Sequence, residues 1–228
     1  MRPAVNVATT RVQRVLEVSI RDTIRSGEAI AWMAGSFGAA LLMAIAILTC
    51  LGANEHGTDD ALQATARFSF LLFWAAYSGS ALAALFGPRW RFFKTSGRSF
   101  GLAFASAHLV HFGLVLWLCQ IGAAPPLGSF VFFGIALLWT YILAILSVDW
   151  LHQAIGHKSW WWLSTIGLNY ILFAFATDFT RFPFRTDPKH ILAYLPFIIL
   201  TIAAPVLRLT AWAQRMIGLL RQRPSPAR

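Results

Sequence analysis

The stretch Gly97–Leu118, GRSFGLAFASAHLVHFGLVLWL, decides how this chain is read. It opens on a cation, Arg98, and then stays apolar for the length of a membrane crossing, about 20 residues of helix. Its middle carries two histidines, His108 and His111. Three residues apart on a helix, they share a face. An ionisable side chain at that depth is costly in hydrocarbon, so both should turn into a helical bundle and be satisfied there. This stretch therefore implies a membrane protein with an imidazole pair in its interior.

The rest of the composition agrees. Of 228 residues, 57% are hydrophobic and only 12% charged, and mean hydropathy is +0.61; soluble domains carry roughly 25% charge. The net charge of +10 does not read as a nucleic-acid surface, because the basic residues stand at the ends of apolar runs instead of forming a patch with stacking aromatics. Cys50 and Cys119 lie near span ends without metal-ligand spacing and read as buried thiols, not a disulfide. The N-terminal stretch lacks an uninterrupted apolar core and reads as no cleaved signal peptide.

Taken in order, residues 1–27 form an N-terminal cytoplasmic segment. Val12, Leu16, Ile20 and Ile24 recur along one helical face, with arginines on the others, so the segment either lies in the headgroup layer or leads in as a solvated helix. Six apolar runs follow within a transmembrane domain over 28–209, at about 29–51, 68–87, 99–121, 128–148, 160–177 and 190–209, each near the ~20 residues a helical crossing needs. A basic tail occupies 210–228. Polar, acidic or proline-containing breaks separate the runs, and Pro196 and Pro205 should kink the last. Fifteen of the 19 basic residues fall on the side holding both termini. The positive-inside rule then makes the fold an all-α bundle of six transmembrane helices, N-in and C-in. That orientation implies a multi-pass protein of the cell inner membrane, with the lipid bilayer as its first partner.

Imidazole is a good axial ligand for haem iron, and bundle interiors are common haem sites. His108 and His111 are the candidates; the alternative is a pair bonded to neighbouring hydroxyls or carbonyls. Zinc is disfavoured, since no nearby carboxylate or thiolate completes a tetrahedron. Asp149, His152 and His157 read as interfacial polar residues, with Asp149 able to hold one imidazole. His56 and His190 read as ordinary surface residues. Asn169 and Tyr170 require interhelical hydrogen bonds. Ser78, Gly79 and Ser80, and Gly101, Ala105 and Ser106, allow close helix approach. Nucleotide-binding glycine patterns, a P-loop, a nucleophile elbow and HExxH are all absent, so an electron donor would be another protein or a quinol. No catalytic residue is assigned.

Arg98, Ser99, Phe100, Gly101 and Leu102, followed by His111 ten residues past Gly101, resemble the ferric reductase-like transmembrane family. Within it, the six-span haem-binding subunit of the bacterial methionine sulfoxide reductase system is most similar. Trp160, Trp161, Trp162, Leu163, Gly167 and Tyr170 match the opening of that family's fifth span. Ser164 stands where the family carries a second haem-ligating histidine, and Thr177 and Asp178 where it carries a further one. The resemblance covers about 66–209. It implies a b-type haem on His111, with help from His108, and an electron-transfer subunit of an oxidoreductase system working with a redox or assembly protein partner. Two other readings remain: a haem-free relative acting as a membrane partner or assembly subunit, and a small-solute transporter using the histidines as a proton relay.

Overall fold

The computed structural model describes residues 6–147, 151, 154–181 and 188–221. Among these there are seven α-helices and no strand: α1 Asn6–Leu51, α2 Glu55–Phe86, α3 Arg91–Thr95, α4 Gly97–Gln120, α5 Leu127–Leu146, α6 His157–Arg181 and α7 Pro188–Arg221. A single 3₁₀ turn, Pro88–Trp90, precedes α3. The protein is all-helical, and five of the helices are long and apolar enough to cross a membrane: α2, α4, α5 and the parts Ser26–Leu51 of α1 and Ala193–Leu219 of α7. α6 has the length, at 25 residues. Its tryptophans, Ser164, Thr165, Asn169 and Tyr170 make it less apolar than the others.

Three elements are longer than the apolar runs suggested. α1 continues unbroken through residue 27, so the lead-in segment and first run form one helix; side chains of residues 6–25 lie outside the description. α2 begins at Glu55, well inside the expected polar loop. The Asn54 side chain caps it by accepting from the Gly57 backbone at 2.9 Å, and Glu55 complements the helix dipole there. α7 runs through Pro196 and Pro205 and into the basic tail. Hydropathy ends where charge begins, but a helix ends only where caps or breakers stop it.

Contacts fix the direction of each helix. Trp32 of α1 meets the Phe100 ring of α4, and Ser36 Oγ donates to the Ala103 carbonyl at 2.9 Å, in the same order along both helices, so α1 and α4 run side by side and parallel. Thr65 and Phe73 of α2 meet His111 and Phe104 of α4 in reverse order, so α2 and α4 are antiparallel. On α2 and α7, Arg67 lies over the Tyr194 ring and Arg208 over the Tyr77 ring, each 4.4 Å from the centroid. The order 67 then 77 matches 194 then 208, so these two helices are also parallel. Phe70 and Phe73 of α2 meet Phe179 and Phe175 of α6 in reverse order, as antiparallel helices do. α6 is antiparallel to α5 as well: the Tyr170 hydroxyl donates to the Phe132 carbonyl at 3.1 Å, and Gly167 lies under Trp139. The helices α1, α4 and α6 thus point one way and α2, α5 and α7 the other.

α2 is the central helix, in contact with α1, α4 and α7 and joined to α6 through its aromatic face. The main core gathers Phe70, Phe73, Tyr77, Phe104, Phe175 and Phe179. A second core of Ala40, Ala44, Ala61, Ala107, Val110 and Leu114 lets α1, α2 and α4 approach closely. The half-buried Arg67 and Arg208 lie against Tyr194 and Tyr77. Cation–π contact lets the guanidinium remain charged while partly removed from water. Both cysteines are free; Cys50 is exposed, not buried as expected, and Cys119 is half-buried.

Candidate functional site

Position and packing bring His108 and His111 together on α4. Their rings stack, with centroids 4.9 Å apart and planes 15° from parallel. His111 faces α2, where Thr65 Oγ1 lies 3.2 Å from its Nδ1. Thr65 also lies 2.8 Å from the Ala61 carbonyl and 3.1 Å from that of Leu62. A hydroxyl has one proton, and two carbonyls that can only accept compete for it. With that proton on a carbonyl, the oxygen accepts from the ring, the tautomer in which Nδ1 carries the proton and Nε2 the lone pair; the Leu62 backbone is a second hydrogen-bond partner of His111.

His108 has a different environment. It sits 5.4 Å from Phe104 and 6.2 Å from Phe175, centroid to centroid, at the edge of the aromatic core. Its Nδ1 is buried and has no hydrogen-bond partner among the described residues. Ser69, one turn past Thr65 on α2, has a buried Oγ in the same condition. Buried polar atoms are nearly always paired, so an unpaired imidazole nitrogen beside an anchored one marks this as the place where chemistry is expected. Thr65 and Ser69 were not legible as site residues. Hydroxyls at helical spacing usually bond back to their own helix, and only the tertiary contact distinguishes Thr65.

The other expected residues are placed as follows. Asn169 accepts from the Tyr77 hydroxyl at 2.8 Å and donates to the Thr165 carbonyl at 2.7 Å, and Tyr170 bonds α5, so both make the interhelical bonds the sequence required. His56 is exposed and pairs with Asp60 at 3.8 Å. His157 is exposed at the start of α6. Asp149, His152 and the side chain of His190 lie outside the described residues.

Ser164 is not opposite His111. It lines a cavity of about 400 Å³ between α2, α4, α5 and α6, together with Arg98, Gly101 and Phe104. A second cavity, about 410 Å³, lies between α1 and α2, and neither histidine lines either one. Phe104 forms the wall between Ser164 and the imidazoles. His108 and His111 follow it by four and seven residues, about 6 and 10 Å along the helix. Level with His108 on α6 is Phe175, an apolar ring. The b-type haem implied by the resemblance therefore meets one fitting donor, the Nε2 of His111, with His108 beside it. Nothing on α6 supplies an imidazole across from it. Among the described residues no group of three or more His, Cys, Asp or Glu could hold a bare metal ion.

No protein-family model, curated protein or solved structure matches this chain. The family likeness rests on the motif residues alone.

Proposed function

We propose that this chain is a six-span, ferric reductase-like membrane subunit, with both termini in the cytoplasm of a cell whose inner membrane it crosses, that holds a b-type haem through His111. One observation carries the reading: Thr65 Oγ1 lies 3.2 Å from His111 Nδ1, an anchor that would leave Nε2 to a ligand. Metal-binding histidines are characteristically held this way, by a hydrogen bond from the nitrogen that does not bind the metal. His108, stacked on it, steadies the ring and contributes the second imidazole of the pocket. Bound there, haem would supply a one-electron carrier, and the protein's part is to position it, bury it and connect it to a redox partner or quinol. The alternating directions of α1, α2, α4, α5, α6 and α7 support six crossings, with α6 as the fifth.

A haem-free partner or assembly subunit is the second reading. The apolar Phe175 facing His108, and Ser164 turned into a separate cavity, favour it. The two are separated by haem stoichiometry after expression with a haem precursor and purification in mild detergent. The proposal predicts close to one haem per wild-type chain, a reduced amount in His108→Ala and almost none in His111→Ala. A wild-type value near zero would favour the haem-free subunit.

A further inference from the structure

We propose that the turn between α2 and α4 is an anchor for an anionic lipid surface, with Arg89, Arg91 and Lys94 on the headgroups and the rings beside them in the layer below. Its position follows from its neighbours. α2 ends at Phe86 and α4 starts at Gly97, and both are long and apolar enough to cross a membrane, so residues 87–96 double back at the membrane surface. Gly87, at φ 84°, makes the sharp exit from α2, a backbone shape that a residue with a Cβ rarely adopts.

Contacts hold the turn in one shape. The Trp90 N–H donates to the Gly87 carbonyl at 3.2 Å and the Ser96 N–H to that of Phe92 at 2.9 Å. Phe93 faces inward: Gly79 lets its carbonyl close on α2, and its ring stacks on Phe100 of α4, centroids 5.8 Å apart. Phe92 meets the same Phe100 ring edge-on. What remains outward is mixed by type. Phe86, Trp90 and Phe92 are exposed, and so are Arg89, Arg91 and Lys94. Rings of this kind settle at the boundary between headgroups and acyl chains, while basic side chains reach phosphates on long stems.

The three cations are not matched within the protein. Among the described residues none of them forms an ion pair. α3 packs on α2, on the 3₁₀ turn and on α4. The described acids lie elsewhere: Glu55, Asp59 and Asp60 at the opposite end of α2, Asp178 at the far end of α6, and Glu28 in the groove between α1 and α2. Three exposed positive charges at a membrane surface complement anionic phospholipid, with an attraction that reaches about 8–10 Å before salt screens it. An acidic protein would match the charge, but not the exposed rings at the lipid boundary. The inference uses neither the haem nor the side of the membrane on which the termini lie.

Photocrosslinking tests it, with p-benzoylphenylalanine in place of Phe92 in the full chain. In nanodiscs of equal phosphatidylglycerol and phosphatidylcholine, adducts should form with lipid and favour phosphatidylglycerol by at least ~five-fold, about what one basic side chain contributes at such a surface. Combining Arg89→Gln, Arg91→Gln and Lys94→Gln should bring the ratio close to one. Combining Arg89→Lys, Arg91→Lys and Lys94→Arg, which keeps every charge, should preserve it. The preference should also fall in ~1 M salt, where the screening length is about 3 Å. Equal adducts with both lipids, a preference unchanged by the glutamines, or adducts with a protein instead of lipid in native membranes would each overturn the proposal.

Discussion

At the residue scale, one hydroxyl decides how the imidazole pair is oriented. Thr65 accepts from His111, and no other described side chain makes that contact. Removing the hydroxyl in Thr65→Val keeps the shape but takes away this partner of Nδ1, leaving the Leu62 backbone as the ring's hydrogen-bond partner. Second-sphere partners of this kind are worth about 10- to 100-fold in metal-site affinity, so Thr65→Val should lower haem retention by that factor, measured by competition with a haem-binding apoprotein. Thr65→Ser keeps the oxygen and should retain near wild-type affinity; equal loss in both would show that the methyl group, not the hydrogen bond, matters. The inward placement of the two histidines was legible from sequence, because an ionisable group within an apolar run turns away from lipid. Thr65 was not, because its contact spans 46 positions and nothing local announces it. Nor was the orientation of Ser164: the motif gives a position on α6, while the level of that position against α4 depends on how the two helices are packed.

At the scale of elements, glycines set two of the closest approaches. A Cβ on Gly79 would meet the Phe93 carbonyl oxygen at 2.4 Å, and one on Gly167 would meet the Trp139 ring at 2.8 Å. Backbone cannot yield to a methyl group as a flexible side chain can, so Gly79→Ala should cost about 1–3 kcal/mol, the range for overpacking. Thermal unfolding in detergent should show a clearly lowered midpoint. Gly113→Ala, where nothing lies within 4 Å, should match or exceed wild type, since alanine favours helix. If the two variants unfold together, the turn before α4 is not held against α2 as described. Element existence followed from hydropathy at every apolar run, because hydrocarbon length is a physical ruler. Element ends did not. α2 begins thirteen residues before its apolar run, at an asparagine cap, and charge within an amphipathic or capped helix does not stop it. Counting charges also gives no sign of partners: Arg67 and Arg208 rest on tyrosine rings of a neighbouring helix.

At the scale of the whole molecule, six helices alternate in direction, and basic residues cluster at one end of them. A reporter active only in the cytoplasm, fused at the C-terminus, should be active, and one in the turn at residues 52–54 should not; the reverse pattern would exclude the proposed orientation. Arg98→Glu should reduce membrane yield more than Arg228→Glu, because it places an acid at the positive mouth of a crossing; equal yields would count against that anchoring role. The central claim, that a single imidazole presents the iron-binding nitrogen, is tested most directly by absorbance spectra of the reduced protein with and without carbon monoxide, wild type beside His111→Ala. If haem binds His111 as proposed, no imidazole of α6 would lie across from it, and exogenous ligand would have access to the iron. The account predicts a high-spin, carbon monoxide-reactive spectrum in wild type that vanishes in His111→Ala. A six-coordinate, low-spin spectrum that survives His111→Ala would contradict it.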